Sequence, residues 1–359
     1  MCPFALALLT TCGSAAPATT SSPASPAGGV PTHDEIVNKA KAEGALKVLS
    51  SADPKSIKAL KEGFVKKYPF LSNTEVQETT GTDTTQRFVL ELKAGQAKDW
   101  DVVHVSDEFG AEMEPFLAKN DLLGLAEKGV LAINPKMISP VARNLMSPGT
   151  QVGVVVYNTN LVPADKVPKT WEDLLKPEWK GKKMIADIRP NLIGGLVPAK
   201  GETWVKDFAA KMKDQQPAWA RGQTGAMTSL SAGEYQLHSA AYLNTVKRSI
   251  ETGTANLGVA IVEPVPVRHT LATAIQDGVK HPNAGLLWLE YLASAEGQKV
   301  FDELEPWRAS LFSGQPTRTA QLLAGKQQSL VDWAELPKMA DWEKMVLQGY
   351  GLPQAEIKG

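Results

Sequence analysis

Short predicted strands alternate with amphipathic runs through the first part of the body of this chain. Residues 46–50, 74–78 and 101–105 are predicted strands, and each leads into a polar loop and then a predicted helix. In the helix after the first strand, the apolar residues between 57 and 68 fall on one face. Strand–helix alternation predicts an α/β fold with a mostly parallel sheet and helices on its faces.

Two helix starts carry recognisable capping signals. Thr32 and Glu35 are spaced as a capping box, and Asp53-Pro54 matches a helix N-cap followed by proline at the first helical position. Both signals precede apolar residues at helical spacing, so they predict where these helices begin.

The alternation continues along the chain. Residues 152–158 and 257–263 are predicted buried strands, and we expect Pro264 and Pro266 to end the second of them. A further strand is predicted at 183–188, and a helix pair covers 284–304. At 359 residues, the chain is long enough for about two domains.

The amino terminus has the composition of a targeting segment. Residues 1–33 contain no charged side chain, and the apolar stretch 4–9 leads into Leu9-Thr10-Thr11-Cys12, which resembles a lipoprotein box. We therefore expect residues 1–12 to be a signal, Cys12 to be lipidated, and 13–31, rich in Ala, Ser, Thr and Pro, to be a flexible tether. The alternative is an apolar leader without an anchoring role. Because Cys2 and Cys12 are the only cysteines, no disulfide or thiol chemistry is expected in the body.

Charge and motif content exclude several functional classes. The 38 basic and 39 acidic residues give a net charge of −1, so no basic excess is present to attract nucleic acid. No phosphate loop, dinucleotide fingerprint or metalloprotease motif occurs, and the five histidines are widely dispersed. We therefore expect neither a catalytic centre nor a metal site or cofactor.

Several segments together resemble a known family. They are the stretch 157–163 (YNTNLVP), the stretch 168–182 (PKTWEDLLKPEWKGK), the segment 231–235 and the run 282–301. This pattern is similar to bacterial extracellular solute-binding proteins of ABC importers, in the branch that contains ferric-iron, thiamine, aminophosphonate and polyamine binders.

The resemblance implies a two-lobed periplasmic-binding-protein type 2 clamshell in which each lobe has a mostly parallel sheet. Lobe one would comprise 32–150 and 267–359, and lobe two would comprise 151–266. The strands at 152–158 and 257–263 would carry the chain into and out of lobe two. One solute would bind between the lobes of a monomer outside the cytoplasm, and closure would be favoured only by solute contacts to both lobes. An ABC permease with a separate ATPase would be the partner. The alternatives of another class are an enzyme on the same fold and a surface-structural lipoprotein.

The solute is predicted from the loops that would face the cleft. Ferric binders of this family use a histidine after the first strand, an acidic residue after the third strand and two adjacent tyrosines in lobe two. Here the first loop is Ser51-Ala52-Asp53-Pro54, the acidic residue is Asp107, and Tyr242 stands alone. Direct iron or iron-chelate binding is therefore the alternative, and a small organic anion is favoured.

Arg189 is the residue expected to hold the anion, since its planar guanidinium suits a carboxylate, sulfonate or phosphonate. It could equally pair with Asp187 at the surface, and Asp107 could cap its own helix or receive an amine. The full set of expected solute-binding residues shares small, polar or hydrogen-bonding side chains near predicted strand ends: Ser51, Thr80, Gly81, Thr82, Ser106, Asp107, Arg189, Gln223, Thr224 and Tyr242.

Overall fold

The computed structural model describes residues 1, 29–79, 82–97, 99–106, 109–181 and 183–352. A boundary after Pro31 separates the amino-terminal segment from the compact unit Thr32–Gly359. The predicted signal, Cys12 and nearly all of the tether lie outside the described residues. Within the described residues, no helix combines the length and apolar character needed to span a bilayer.

Strands and helices alternate through the compact unit. The strands are β1 Ala45–Ser50, β2 Asn73–Glu78, β3 Val102–His104, β4 Gly149–Asn158, β5 Met184–Asp187, β6 Ala218–Ala220, β7 Leu237–Tyr242, β8 Leu257–Ala260, β9 Val265–Thr270, β10 Thr273–Ile275 and β11 Gln328–Val331. The α-helices are α1 His33–Glu43, α2 Pro54–Lys67, α3 Thr82–Lys93, α4 Gly110–Met113, α5 Leu122–Glu127, α6 Asn191–Gly194, α7 Val197–Lys200, α8 Glu202–Asp214, α9 Gln223–Ser231, α10 Leu243–Glu251, α11 Pro282–Ala293, α12 Ala295–Glu303, α13 Arg318–Leu322 and α14 Met339–Tyr350. Short 3-10 helices occur at Pro69–Leu71, Glu114–Phe116, Pro135–Met137, Ala164–Lys166, Trp171–Leu175, Pro177–Trp179 and Leu336–Lys338.

The capping box before α1 is confirmed. The Glu35 N–H donates to Thr32 Oγ1 at 3.2 Å, and the Thr32 N–H donates to Glu35 Oε2 at 2.7 Å. Pro54 occupies the start of α2, as predicted, because its missing N–H would have no partner in the first helical turn.

The first sheet has the strand order β10-β3-β1-β2. β1 runs parallel to β2 and β3, and β10 joins β3 antiparallel. Helices α1, α2 and α11 contribute to its core, where Phe64 meets the rings of Trp288 and Tyr291 edge-on at 5.0 and 5.7 Å. This sheet and its helices form the first lobe.

The second sheet has the order β11-β9-β4-β7-β5-β6, with β8 also paired to β4. β5 is parallel to β6 and β7, and β9 is parallel to β11, whereas β4 is antiparallel to β7, β8 and β9. The sheet of the second lobe therefore has as many antiparallel as parallel strand pairs, whereas a mostly parallel sheet was expected. The reason is β4, whose first half pairs with β9 and whose second half pairs with β8.

The strand predicted at 257–263 ends at Ala260, before both prolines, and a separate strand, β9, begins at Val265 and includes Pro266. The ladder between β4 and β9 ends at Val152 opposite Val267, so Pro266 lies just past its last pair. Gly153 makes room for the proline ring, because a Cβ at Gly153 would lie 3.1 Å from Pro266. The chain consequently leaves the second lobe along β9, and not along the predicted strand at 257–263.

The carboxy-terminal segment packs on the second lobe. β11 extends the second sheet next to β9, and the buried Trp342, Val346 and Tyr350 of α14 join the core around Phe208. The expectation that all of 267–359 belongs to lobe one is therefore wrong for this segment. Its physical cause is the apolar face of α14, which is buried against the second-lobe core.

Candidate functional site

Two of the predicted first-lobe residues lie at the carboxyl ends of neighbouring parallel strands. Ser51 follows β1 and Ser106 lies two residues after β3, and both side chains are partly buried. Ser51 borders a small pocket together with His104 and Thr273. Thr82 is the first residue of α3. Thr80, Gly81 and Asp107 lie outside the described residues. Their expected role in solute binding therefore stays a prediction.

Two predicted second-lobe residues border one small surface pocket. Arg189 and Gln223 line it with Asp187, Ser239 and Tyr350. Every one of these except Arg189 is largely buried, and the Arg189 side chain is 47% exposed. Arg189 therefore lies at the solvent-facing side of a pocket with both polar and apolar walls.

Asp187 orients Arg189 while leaving its terminal nitrogens uncommitted. The Arg189 N–H donates to Asp187 Oδ1 at 2.9 Å, and the side-chain Nε lies 3.6 Å from the same oxygen. In the described part of the chain, neither terminal guanidinium nitrogen of Arg189 donates a hydrogen bond. Arg189 is thus paired with Asp187, as predicted, and its two terminal guanidinium nitrogens are still free to bind a solute.

The start of α9 lies beside this guanidinium. Gly222 is the N-cap residue with φ at 88°, and no side chain caps the helix there. A Cβ at Gly222 would lie 3.5 Å from Arg189 Nη2, which shows how closely the two approach. Backbone N–H groups at a helix start and a guanidinium both favour negative charge. This corner of the second lobe therefore has the chemistry of an anion site.

The side chains of Gln223, Thr224 and Tyr242 differ in how available they are to a solute. Gln223 Oε1 accepts the N–H of Tyr242 at 2.8 Å, so this amide joins α9 to the end of β7. Thr224 is exposed in the first turn of α9, and Tyr242 is partly buried at the end of β7. The structure thus brings Arg189, Gln223, Thr224 and Tyr242 to one side of the second lobe.

Tyr350 was missed by the sequence prediction. It comes from α14, lines the Arg189 pocket and is 3% exposed. Burial, assisted by the charge of Asp187, raises the pKa of the Tyr350 phenol well above its usual range. The phenol stays neutral, so it can only donate or accept a hydrogen bond. No local sequence pattern pointed to Tyr350 as a site residue, because its segment was assigned to the other lobe.

Arg248 was also missed. Asp53 occupies the N-cap position of α2, but its side chain makes no capping hydrogen bond. Asp53 Oδ2 instead lies 2.5 Å from Arg248 Nη2 on α10. The loop after the first strand, where ferric binders of the family carry histidine, therefore holds a carboxylate that is already paired with a cation.

The described residues provide little for a metal ion. No group of three or more His, Cys, Asp or Glu side chains among them is placed to share one. Tyr242 has Ala241 and Leu243 as its chain neighbours, so no adjacent tyrosine pair exists there. Ferric iron prefers several anionic oxygen ligands, and Asp107, the acidic residue expected for such a site, lies outside the described residues.

Solved structures share the fold over most of the chain. A FutA (IdiA) protein from Trichodesmium, solved with iron and citrate, aligns with a TM-score of 0.67 and 21% identity, covering 85% of this chain and 99% of that one. Iron-bound HitA from Pseudomonas aeruginosa aligns at 0.62 and 16%, covering 84% and 99%. Atu4243, described as a GABA receptor, aligns at 0.62 and 16%, covering 85% and 96%. The expected two-lobed type 2 clamshell is thereby confirmed.

The sequence itself identifies the family. No protein of curated function matches the chain in sequence. Residues 110–338, more than half of the chain, match the family of bacterial extracellular solute-binding proteins. The chain therefore belongs to the bacterial extracellular solute-binding proteins, which bind a solute outside the cytoplasm for an ABC importer.

Proposed function

We propose that the solute is a small organic anion, trapped between the lobes and delivered to an ABC permease. One observation carries the proposal: the uncommitted guanidinium fork of Arg189 lies beside the uncapped start of α9. A carboxylate, sulfonate or phosphonate could accept from both terminal nitrogens at once, in the bidentate geometry that arginine favours. The exposed Thr224 and the backbone N–H groups of α9 would add neutral donors.

Asp187 lowers the positive charge of this site without engaging the terminal nitrogens of Arg189. Its Oδ1 already accepts the Arg189 N–H, and its 3.6 Å separation from Nε exceeds a hydrogen-bond length. The carboxylate therefore holds the arginine in place and lowers the local positive charge. A solute of one or two negative charges suits such a site better than a polyanion.

Ferric iron or an iron chelate remains the second candidate, since two of the fold relatives are iron-bound proteins. Against direct iron binding stand the Asp53–Arg248 pair and the lone Tyr242. The Arg248 guanidinium lies 2.5 Å from the Asp53 carboxylate and neutralises the negative charge that would otherwise attract a metal ion. An enzyme on this fold is not favoured by any observation on the described residues.

The test begins with native mass spectrometry of the purified protein, which identifies any retained solute. Calorimetry then compares wild type with Arg189→Ala and with Arg87→Ala, which removes an 82% exposed arginine of α3. A hydrogen bond to a charged group contributes about 1.5–3 kcal/mol, so Arg189→Ala should weaken binding about ten- to a hundredfold. Arg87→Ala should bind like wild type.

Two outcomes would contradict the organic-anion proposal. One is Arg189→Ala binding as tightly as wild type while retaining the wild-type melting curve. The other is a coloured iron complex that Tyr242→Phe abolishes and Arg189→Ala spares, which would establish the iron alternative.

Membrane attachment through a lipidated Cys12 is a second proposal, supported by the sequence around Cys12 and the uncharged residues that follow. One acyl chain anchors weakly, so stable attachment requires two or more. Wild type should partition into a detergent phase and Cys12→Ser into the aqueous phase. Equal partitioning of both proteins into water would overturn the proposal.

A further inference from the structure

An ion pair connects the two lobes without any solute. Asp53 stands at the start of α2, whose Ile57 and Leu60 lie in the first-lobe core, and Arg248 lies on α10, whose Val246 lies in the second-lobe core. Arg248 Nη2 is 2.5 Å from Asp53 Oδ2, and the side chains are 41% and 37% exposed. Arg248 Nη2 is itself buried and contacts Asp53 as an ion pair without hydrogen-bond geometry, whereas the rest of both side chains is partly exposed.

Glu305 fixes the position of this pair. Its side chain is fully buried, and it accepts the backbone N–H of Asp53. Glu305 Oε2 lies 3.6 Å from Arg248 Nη2 and 3.3 Å from Arg308 Nη1. Two arginines and two carboxylates thus form a group without net charge.

Arg308 anchors the group to the strands that link the lobes. Its Nη2 donates to Thr270 Oγ1 at the end of β9 at 3.2 Å, and its carbonyl accepts the Thr150 N–H of β4 at 3.0 Å. Burial lowers the pKa of the Arg308 guanidinium, whereas the charge of Glu305 raises it. Glu305 and Arg308 therefore form one anchored pair, and separating α2 from this segment would break the Asp53 N–H hydrogen bond to Glu305 together with the Asp53–Arg248 ion pair.

α10 is held in the orientation that presents Arg248. Lys247, its neighbour, places Nζ 4.6 Å from the ring centre of Trp307, and Arg318 lies on the same ring at 4.9 Å. These cation–π contacts tie α10 to the chain segment that carries Glu305 and Arg308.

We propose that Arg248 and Asp53 form a latch that holds the solute-free protein partly closed. The effect on affinity rests on the proposed function, because it requires that solute binds the closed form. A larger closed fraction before binding lowers the apparent dissociation constant in proportion. Partly exposed ion pairs are weak, so removing this one should weaken solute binding only about two- to fivefold.

The experiment measures solute-free protein by small-angle scattering and needs no solute. Arg248→Gln and Asp53→Asn should each increase the radius of gyration, and added salt should increase that of wild type. Arg143→Gln is the matched control: Arg143 Nη2 lies 2.8 Å from Asp121 within the first lobe, with side chains 43% and 56% exposed. It should leave the radius of gyration unchanged. Asp53→Asn keeps the latch testable if Arg248→Gln fails to fold.

An unchanged radius of gyration in both folded latch variants would overturn the latch. Calorimetry with the identified solute then tests the affinity effect. A loss far beyond fivefold would make Arg248 a direct solute contact and would also contradict the latch. If organic anions fail to bind wild type, the proposed function is wrong. The scattering result would remain valid, because it is obtained without solute.

Discussion

His238 is a titratable side chain enclosed within β7. It is fully buried, and its Nδ1 accepts the N–H of Ala240 at 3.3 Å. Burial disfavours the imidazolium and lowers the pKa of His238 to about 4. Nε2 has no hydrogen-bond partner among the described residues. The folded protein therefore keeps a neutral imidazole at pH values where the unfolded chain is protonated.

This buried imidazole predicts a loss of stability in mild acid. Between the unfolded pKa of about 6.5 and the folded pKa of about 4, the unfolded state binds more protons. The free energy of unfolding should therefore fall with decreasing pH by up to about 1.4 kcal/mol per pH unit in this window. His238→Asn keeps an acceptor for Ala240 but cannot titrate, so its melting temperature should fall less between about pH 7 and pH 5. Parallel melting-temperature profiles for the two proteins would contradict this assignment.

Individual residues differ in how far the sequence could predict their partners. Arg189 and Asp187 are two positions apart, so their pairing was foreseeable and is observed. Asp53 was predicted as a helix cap from its local spacing, but its carboxylate pairs with Arg248, which lies far along the chain. Local patterns determine which residue starts a helix, whereas the direction of its side chain depends on charges that only the folded chain brings near.

At the level of elements, the predicted starts and strands are largely observed. The capping box at Thr32 and the proline at the start of α2 are both present. The helix pair α11 and α12 also agrees with the prediction. Among the strands that were not predicted, β9 contains Pro266 and β11 is a short edge strand. Their pairing with each other supplies backbone partners that the local sequence does not reveal.

At the level of the whole molecule, three passages of the chain lie side by side where the lobes join. Gly149 of β4 is opposite Thr270 of β9, and it also forms a bridge with Ala309 on the segment that leads to the second lobe. A Cβ at Gly149 would lie 3.0 Å from the Arg308 carbonyl, so this close approach requires glycine. The third passage was not expected from the sequence, because it depends on the carboxy-terminal segment packing against the second lobe.

Three adjacent passages of extended chain allow the lobes to rotate about one line, so we expect solute to compact the protein. The first-lobe loops near Ser51 and Ser106 and the second-lobe site at Arg189 would both contact the solute, which favours the closed form by its differential affinity. Small-angle scattering of wild type at saturating solute should show a smaller radius of gyration than the solute-free protein. Arg189→Ala at the same solute concentration should remain less compact, because about ten- to a hundredfold weaker binding lowers its occupancy below that of wild type. If saturated wild type, with occupancy confirmed by calorimetry, keeps its solute-free radius, the two lobes do not close on the solute and a rigid binding site must replace the clamshell mechanism.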